Sequence, residues 1–203
     1  LARIAQHRVT HTFLPPTLIY MVLDHPDAAT TDLSSLRCFW YGAAPMSTRR
    51  LTDALERGWP MAQLFGQTEA PMMISVMPPG DHFRDDGGIA TSRLASAGRP
   101  TPLVTVGLMD DEGRLLPPGE RGEIVVRGSL VMRGYYRDRD AAAAASAHGW
   151  HHTGDIGFLD DEGFLHIVDR AKDMVITGGF NVYSTEVEQA LMAPPAVADC
   201  AVV

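Results

Sequence analysis

Three small groups of residues carry the types and spacing that could do chemistry. In "FGQTEA", residues 65 to 70, a hydroxyl on Thr68 stands beside a carboxylate on Glu69, just after Gly66. A glycine lets the backbone approach a ligand closely. One carboxylate is also what magnesium usually takes from a protein, because the ion keeps waters and draws its other ligands from phosphate oxygens. The second group is Gly42, Ala43, Ala44 and Pro45, small residues that leave room for a flat ring against backbone amides and carbonyls. Phe65 could cover such a ring. The third is Asp155 with Arg170, at the entrance and exit of a hairpin within "GWHHTGDIGFLDDEGFLHIVDRAKD", 149 to 173. A carboxylate there can accept two hydrogen bonds from a vicinal diol, the pattern of a ribose, each contributing roughly 1.5–3 kcal/mol.

Plainer explanations stand beside each. Thr68 or Glu69 could cap the segment that follows a strand, and Gly-Ala-Ala-Pro could be ordinary packing at a helix start. Asp155 and Arg170 could be an ion pair that clamps the open end of the hairpin. Spacing alone leaves both readings of that pair open. Gly178-Gly179 fits a hairpin turn needing φ > 0. His148, His151 and His152 lack a metal-binding frame and read as polar loop residues. Ser47 has no catalytic partner pattern and reads as a helix cap.

The elements that must position these residues follow from the hydrophobic pattern. "VTHTFL" (9 to 14), "SLRCFWY" (35 to 41) and "PMAQLF" (60 to 65) read as strands. "PPTLIYMVLDH" and "PMSTRRLTDALERG" read as the helices between them, with prolines where a first turn tolerates them and Gly58 as a stop. Strand, helix, strand, helix, strand predicts a parallel sheet with crossover helices, whose ligands sit beyond the carboxyl ends of the strands. From Gly98 onward the pattern changes to short strands separated by Gly and Pro turns, with Asp-Asp-Glu-Gly at 110 to 113 and again at 160 to 163. "RDRDAAAAASAHGW" interrupts them as a short helix. The expected class is α/β: a parallel βαβαβ portion, then a small antiparallel β-barrel or sheet subdomain, then the start of a separate α+β C-terminal domain. The expected divisions are 1–97, 98–169 and 170–203, the last incomplete.

At 203 residues the chain can bury a sizeable core. A formal net charge of -8 argues against a nucleic-acid surface. No apolar run reaches membrane-spanning length. Two distant cysteines, Cys38 and Cys200, without metal-ligand spacing point to a reduced, cytoplasmic chain. The start at Leu-Ala-Arg suggests a piece of a longer protein.

Taken in order, "YGAAPMS", "FGQTEA", "GEIVVRG…MRGYY", "GWHHTGDIGFLDDEGF" and "VDRAKDMVITGGFNVYSTEVE" strongly resemble the adenylate-forming superfamily of AMP-dependent synthetases and ligases. That superfamily comprises acyl- and aryl-CoA synthetases, peptide-synthetase adenylation domains and beetle luciferase. The resemblance implies that Gly42 to Pro45 and Phe65 hold adenine, that Thr68 contacts phosphate, and that Glu69 is associated with Mg²⁺. It implies that Asp155 and Arg170 hold ribose, and that Lys172 is the hinge about which a C-terminal domain swings. Gly178 and Gly179 resemble the segment lining a pantetheine channel.

The implied activity is that of an acyl-CoA synthetase using ATP, Mg²⁺, CoA and a small carboxylic acid. Loading of a carrier protein is the alternative within the family, and a non-catalytic nucleotide-binding module the alternative outside it. The family's phosphate loop and C-terminal lysine are absent, so this segment alone is expected to be inactive. Ser184 stands where a proline is common, and Phe65 where a tyrosine is more usual. Trp40, Tyr41, Met72 and Met73 are the candidate acyl-pocket residues, with a core role as their plainer reading.

Overall fold

Strands and helices alternate at the start of the chain as the pattern predicts. The computed structural model describes residues 1–172, 175–177, 180–192, 194, 196–197 and 200–202. They fall into two units, Leu1–Phe65 with Val76–Gly98, and Gly66–Ser75 with Arg99–Val203.

In the first unit α1 (Ala2–His7) leads into β1 (His11–Phe13), α2 (Pro16–Asp24), β2 (Cys38–Gly42), α3 (Thr48–Glu56) and β3 (Met61–Gln67). β1 pairs with β2 and β2 with β3, both parallel, in registers that set Phe13 beside Trp40 and Gly42 beside Leu64. Both crossovers are helical, as parallel neighbours require. α2 opens on Pro16 in its first turn and buries Ile19 and Leu23, four residues apart on one face. α3 does the same with Leu51, Ala54 and Leu55, and the chain turns out of it at Gly58, whose φ is 75°. Phe39 stacks on Trp59 at 5.5 Å between ring centroids inside this core. Each fully buried side chain of this size stabilises the fold by roughly 1.5–3 kcal/mol. Ser47 occupies the N-cap position of α3 but makes no side-chain cap bond; its N–H donates to the Tyr20 hydroxyl at 2.7 Å.

The sequence reading ends the third strand at residue 65 and expects a loop. Instead β3 runs on to Gln67, Thr68 and Glu69 form the turn, and β4 (Ala70–Met77) follows at once. A connection of two residues permits only antiparallel pairing. β5 (Arg99–Pro100) completes a sheet of order β1-β2-β3-β4-β5.

The second unit is built on four antiparallel strands, β6 (Val104–Met109), β7 (Gly122–Gly128), β8 (His151–Leu159) and β9 (Leu165–Arg170), in the order β6-β7-β8-β9. This is an open sheet with β6 and β9 at its edges, so the expectation of a barrel or a sheet resolves to a sheet. β7 is interior, and its successive residues Ile124, Val125 and Val126 are all buried, which accounts for its continuous apolar run. The Ala-rich helix α4 (Arg139–Ala144) precedes β8, with the Asp138 carboxylate capping Ala141 N–H at 3.0 Å. Beyond β9 lie the antiparallel hairpin of β10 (Val175–Thr177) and β11 (Phe180–Val182) and the helix α5 (Ser184–Met192).

The repeated Asp-Asp-Glu-Gly is one turn built twice. Asp110 Oδ1 accepts the N–H groups of Glu112 and Arg114 at 3.0 and 2.8 Å. Asp160 Oδ1 accepts those of Glu162 and Phe164 at 3.0 and 2.9 Å. Gly113 and Gly163 follow at φ 80° and 79°, conformations that favour glycine.

Among the described residues no helix is long and apolar enough to cross a membrane.

Candidate functional site

The first unit holds Gly42, Ala43, Ala44, Pro45 and Phe65. Gly42 ends β2 opposite Leu64, so the Gly-Ala-Ala-Pro turn leaves this edge of the sheet next to Phe65, the following residue of β3. A Cβ on Gly42 would collide with the Leu64 carbonyl oxygen, so the two backbones meet closely because one residue has no side chain. Ala43 follows at φ 68°, left-handed backbone that costs an alanine roughly 1–2 kcal/mol. Ala43, Ala44 and Pro45 are exposed. The edge thus offers bare backbone and one aromatic ring.

The second unit holds Gly66, Thr68, Glu69, Asp155, Arg170 and Lys172. Gly66 is again a forced glycine, since a Cβ would lie 2.7 Å from Met72 Cα and 2.9 Å from the Ala70 carbonyl oxygen. Thr68 and Glu69 form the hairpin turn, with Thr68 exposed. Glu69 Oε1 accepts the Tyr135 hydroxyl at 2.7 Å, and the Glu69 carbonyl accepts Met132 N–H at 2.7 Å. The Tyr135 bond is the largest effect on the Glu69 carboxyl and holds it below its ordinary value, against a smaller opposing effect of burial. An ionised carboxylate on a turn is a donor that magnesium accepts when phosphates complete its shell. Among the described residues no group of three or more His, Cys, Asp or Glu could hold a metal.

Gln67 is tied to β8. His151 Nδ1 lies 3.0 Å from the Ala145 carbonyl, which only accepts. Nδ1 is therefore the protonated nitrogen, and Nε2 accepts the Gln67 side-chain amide at 3.2 Å.

Asp155 and Arg170 are direct partners in the β8–β9 ladder. Arg170 Nε lies 3.2 Å from Asp155 Oδ1; the Asp155 side chain is 8% exposed and that of Arg170 is 59% exposed. Burial pushes the Asp155 carboxyl up from its ordinary value, Arg170 opposes this, and Glu123 adds to it. Among the described residues this buried carboxylate is bridged once, by Arg170, so it gains from new donors, and two adjacent hydroxyls would supply them. Lys172 is exposed in the turn after β9. Gly178 and Gly179 lie outside the described residues.

The plainer reading of two histidines is corrected by the structure. His151 and His152 belong to β8 rather than a loop, and His151 is 3% exposed. The buried residues at that end of β8 are His151, Thr153 and Asp155, all polar, on a strand where apolar residues would be the default. Tyr41 is core: its buried hydroxyl lies 3.1 Å from Nε2 of the buried His82. Met72 is half exposed and sits at φ 58°.

The family described as AMP-binding enzyme matches residues 1–136. The chain belongs to that family. Three similar proteins carry the comparison further. The medium/long-chain-fatty-acid–CoA ligase FadD8 of Mycobacterium tuberculosis is 46% identical over 98% of this chain and 34% of its own. The amide bond synthetase McbA from Marinactinospora thermotolerans shares the fold at a TM-score of 0.91 and 40% identity, over 100% of this chain and 40% of its own. The O-succinylbenzoate coenzyme A synthetase MenE from Bacillus subtilis, solved with ATP and magnesium ion, does so at 0.84 and 34%, over 98% and 39%. The chain therefore spans about a third to two fifths of the length of these AMP-binding relatives. Tyr135, bonded to Glu69, and the β7 residue Glu123, near Asp155, have no role in the sequence reading, although both lie inside the quoted "GEIVVRG…MRGYY".

Proposed function

We propose that the protein carrying this chain is an ATP-dependent acid–CoA ligase, and that the chain supplies much of its nucleotide site. The reaction has two halves. A carboxylate oxygen attacks the α-phosphorus of ATP, forming an acyl-adenylate and releasing pyrophosphate. The CoA thiolate then attacks the acyl carbon, forming the thioester and releasing AMP. The observation that carries the reading is the Asp155–Arg170 bridge, a buried acid beside a half-exposed base, in the same unit as the ionised Glu69.

On this reading Asp155 accepts the two ribose hydroxyls and Arg170 fixes the carboxylate. Gly42 to Pro45 present their backbone to adenine, with Phe65 against the ring. Thr68 donates to phosphate, and Glu69 is the protein's oxygen ligand to magnesium. Bound magnesium would neutralise charge on the phosphates. Lys172 is the hinge to a C-terminal domain that opens at residue 170, and Gly178-Gly179 line the channel for the CoA arm. The divisions at 98 and 170 belong to the same proposal. Exposed Met72 and Met73 suit an apolar acyl group of a fatty or aromatic acid.

The likeness to an amide bond synthetase favours a second reading, in which an amine rather than a thiol takes the acyl group. Pyrophosphate release by the full-length protein, measured over a panel of carboxylic acids with ATP, separates these. Acid-dependent release followed by thioester with CoA supports the ligase. Acid-dependent release followed by amide alone transfers the assignment to an amine acceptor. Absence of acid-dependent release across the panel contradicts both.

A further inference from the structure

The β7–β8 ladder breaks at one place. Glu123 pairs with Ile156 and Val125 with His152, so two steps along β7 correspond to four along β8. Thr153, Gly154 and Asp155 fill that bulge, with Gly154 at φ 73°. A bulge leaves backbone groups without ladder partners and re-aims the side chains next to it. Here two side chains take the place of the ladder. Glu123 Oε1 accepts Gly154 N–H at 2.9 Å. The Thr153 hydroxyl accepts Asp155 N–H at 3.1 Å and donates to the Ile124 carbonyl at 2.7 Å. The other Glu123 oxygen, Oε2, accepts His152 Nδ1–H at 2.6 Å, while His152 Nε2 faces the Ala147 carbonyl at 3.2 Å. From the opposite side Ala171 N–H donates to the Gly154 carbonyl at 2.9 Å.

We infer that Glu123 is the positioning residue for Asp155: its carboxylate clasps the bulge at His152 and at Gly154 and so fixes where the ribose-binding acid points. The inference rests on the ribose role proposed for Asp155. Glu123 carries a second, opposing effect, because its charge disfavours ionisation of the acid it positions.

The test uses the full-length protein and reads KM for ATP, KM for the carboxylic acid, kcat of pyrophosphate release, and thermal unfolding. Glu123→Ala removes both bonds and is expected to raise KM for ATP about tenfold, with KM for the acid changed less than about twofold. Glu123→Gln keeps an oxygen for Gly154 N–H and an amide that can donate to His152 Nδ1 in its other tautomer, so it should restore KM for ATP to within about threefold of wild type. Thr153→Val, which removes only the hydroxyl, should move KM for ATP the same way and serves where Glu123→Ala does not fold. Unchanged KM for ATP in folded Glu123→Ala, or in Thr153→Val where the alanine variant does not fold, overturns the inference. So does an equal rise in both KM values, or a Gln variant no better than Ala. Asp155→Ala is the control: if it leaves KM for ATP unchanged, the ribose reading itself fails.

Discussion

Asp155 and Arg170 face each other across the β8–β9 ladder with Arg170 Nε 3.2 Å from Asp155 Oδ1, yet their side chains differ sharply in exposure, 8% against 59%. The asymmetry matters. A clamp for the hairpin would be served by two exposed ends, as the surface pair Arg114–Glu112 illustrates at 2.7 Å with both partners mostly exposed. Exposed pairs contribute little, about 0–1 kcal/mol. Among the described residues the buried acid has one charged partner, an arrangement that works against the fold and in favour of a ligand with hydroxyls to donate.

Asp155→Asn should therefore stabilise the protein while weakening ATP binding. Burial raises the Asp155 pKa above its ordinary 3.8, so the folded chain holds that proton more tightly than the unfolded chain does. Stability from this group is full below 3.8 and is lost as pH rises through the raised value. Denaturant titrations should show the Asn variant more stable than wild type near neutral pH, with the gap closing as the pH approaches 3.8 from above. A less stable Asn variant at neutral pH would mean that the Arg170 attraction outweighs burial.

Tyr135→Phe deletes the hydroxyl 2.7 Å from Glu69 Oε1. The Glu69 carboxylate loses its fixed orientation, and the magnesium concentration for half-maximal pyrophosphate release should rise about tenfold. KM for the carboxylic acid should stay within about twofold. Unaltered magnesium dependence would remove Glu69 from the metal's shell.

Gly42→Ala drives a methyl group into the Leu64 carbonyl at the end of β2 and should destabilise by about 1–3 kcal/mol. Ala43→Gly relieves a left-handed alanine but loosens the unfolded chain, so its net effect should lie within about 1 kcal/mol. Thermal or denaturant unfolding of the two variants checks the contrast. Similar effects at both positions would contradict the close approach.

His82 is fully buried, its Nε2 by the Tyr41 hydroxyl and its Nδ1 3.1 Å from the Pro78 carbonyl. Burial lowers its pKa below the ordinary 6.5, against smaller opposing effects of the Pro78 and Pro79 backbones and Asp81. The folded chain thus binds this proton more weakly than the unfolded one, and stability present above 6.5 is lost as pH falls. Stability of wild type should fall more steeply than that of His82→Gln between neutral and mildly acidic pH, read by denaturant midpoint.

Much of this architecture is legible in the sequence because it is local. The parallel start follows from the order strand, helix, strand, helix, strand, and the facing of Asp155 and Arg170 from two arms joined by a known turn. The two Asp-Asp-Glu-Gly turns have near-identical bonding because each side chain meets a backbone two or four residues on. What the sequence hid depends on distant pairing. β4 begins straight after the Thr68-Glu69 turn, and "PMMISVM" has no strict alternation to announce it. Glu123 meets Gly154 only because β7 and β8 are neighbours with a bulge between them, and no local pattern encodes that. His151 looks like a loop residue until its tautomer is seen to be set by Ala145 and used by Gln67.

The most direct test of the account compares binding of ATP and 2′,3′-dideoxy-ATP to the full-length protein and to its Asp155→Ala variant. Wild type should prefer ATP by at least about tenfold, as expected when a buried carboxylate loses both donors, and the variant should bind the two nucleotides alike. Equal binding by wild type, or a preference that survives in the variant, would contradict a ribose held by Asp155.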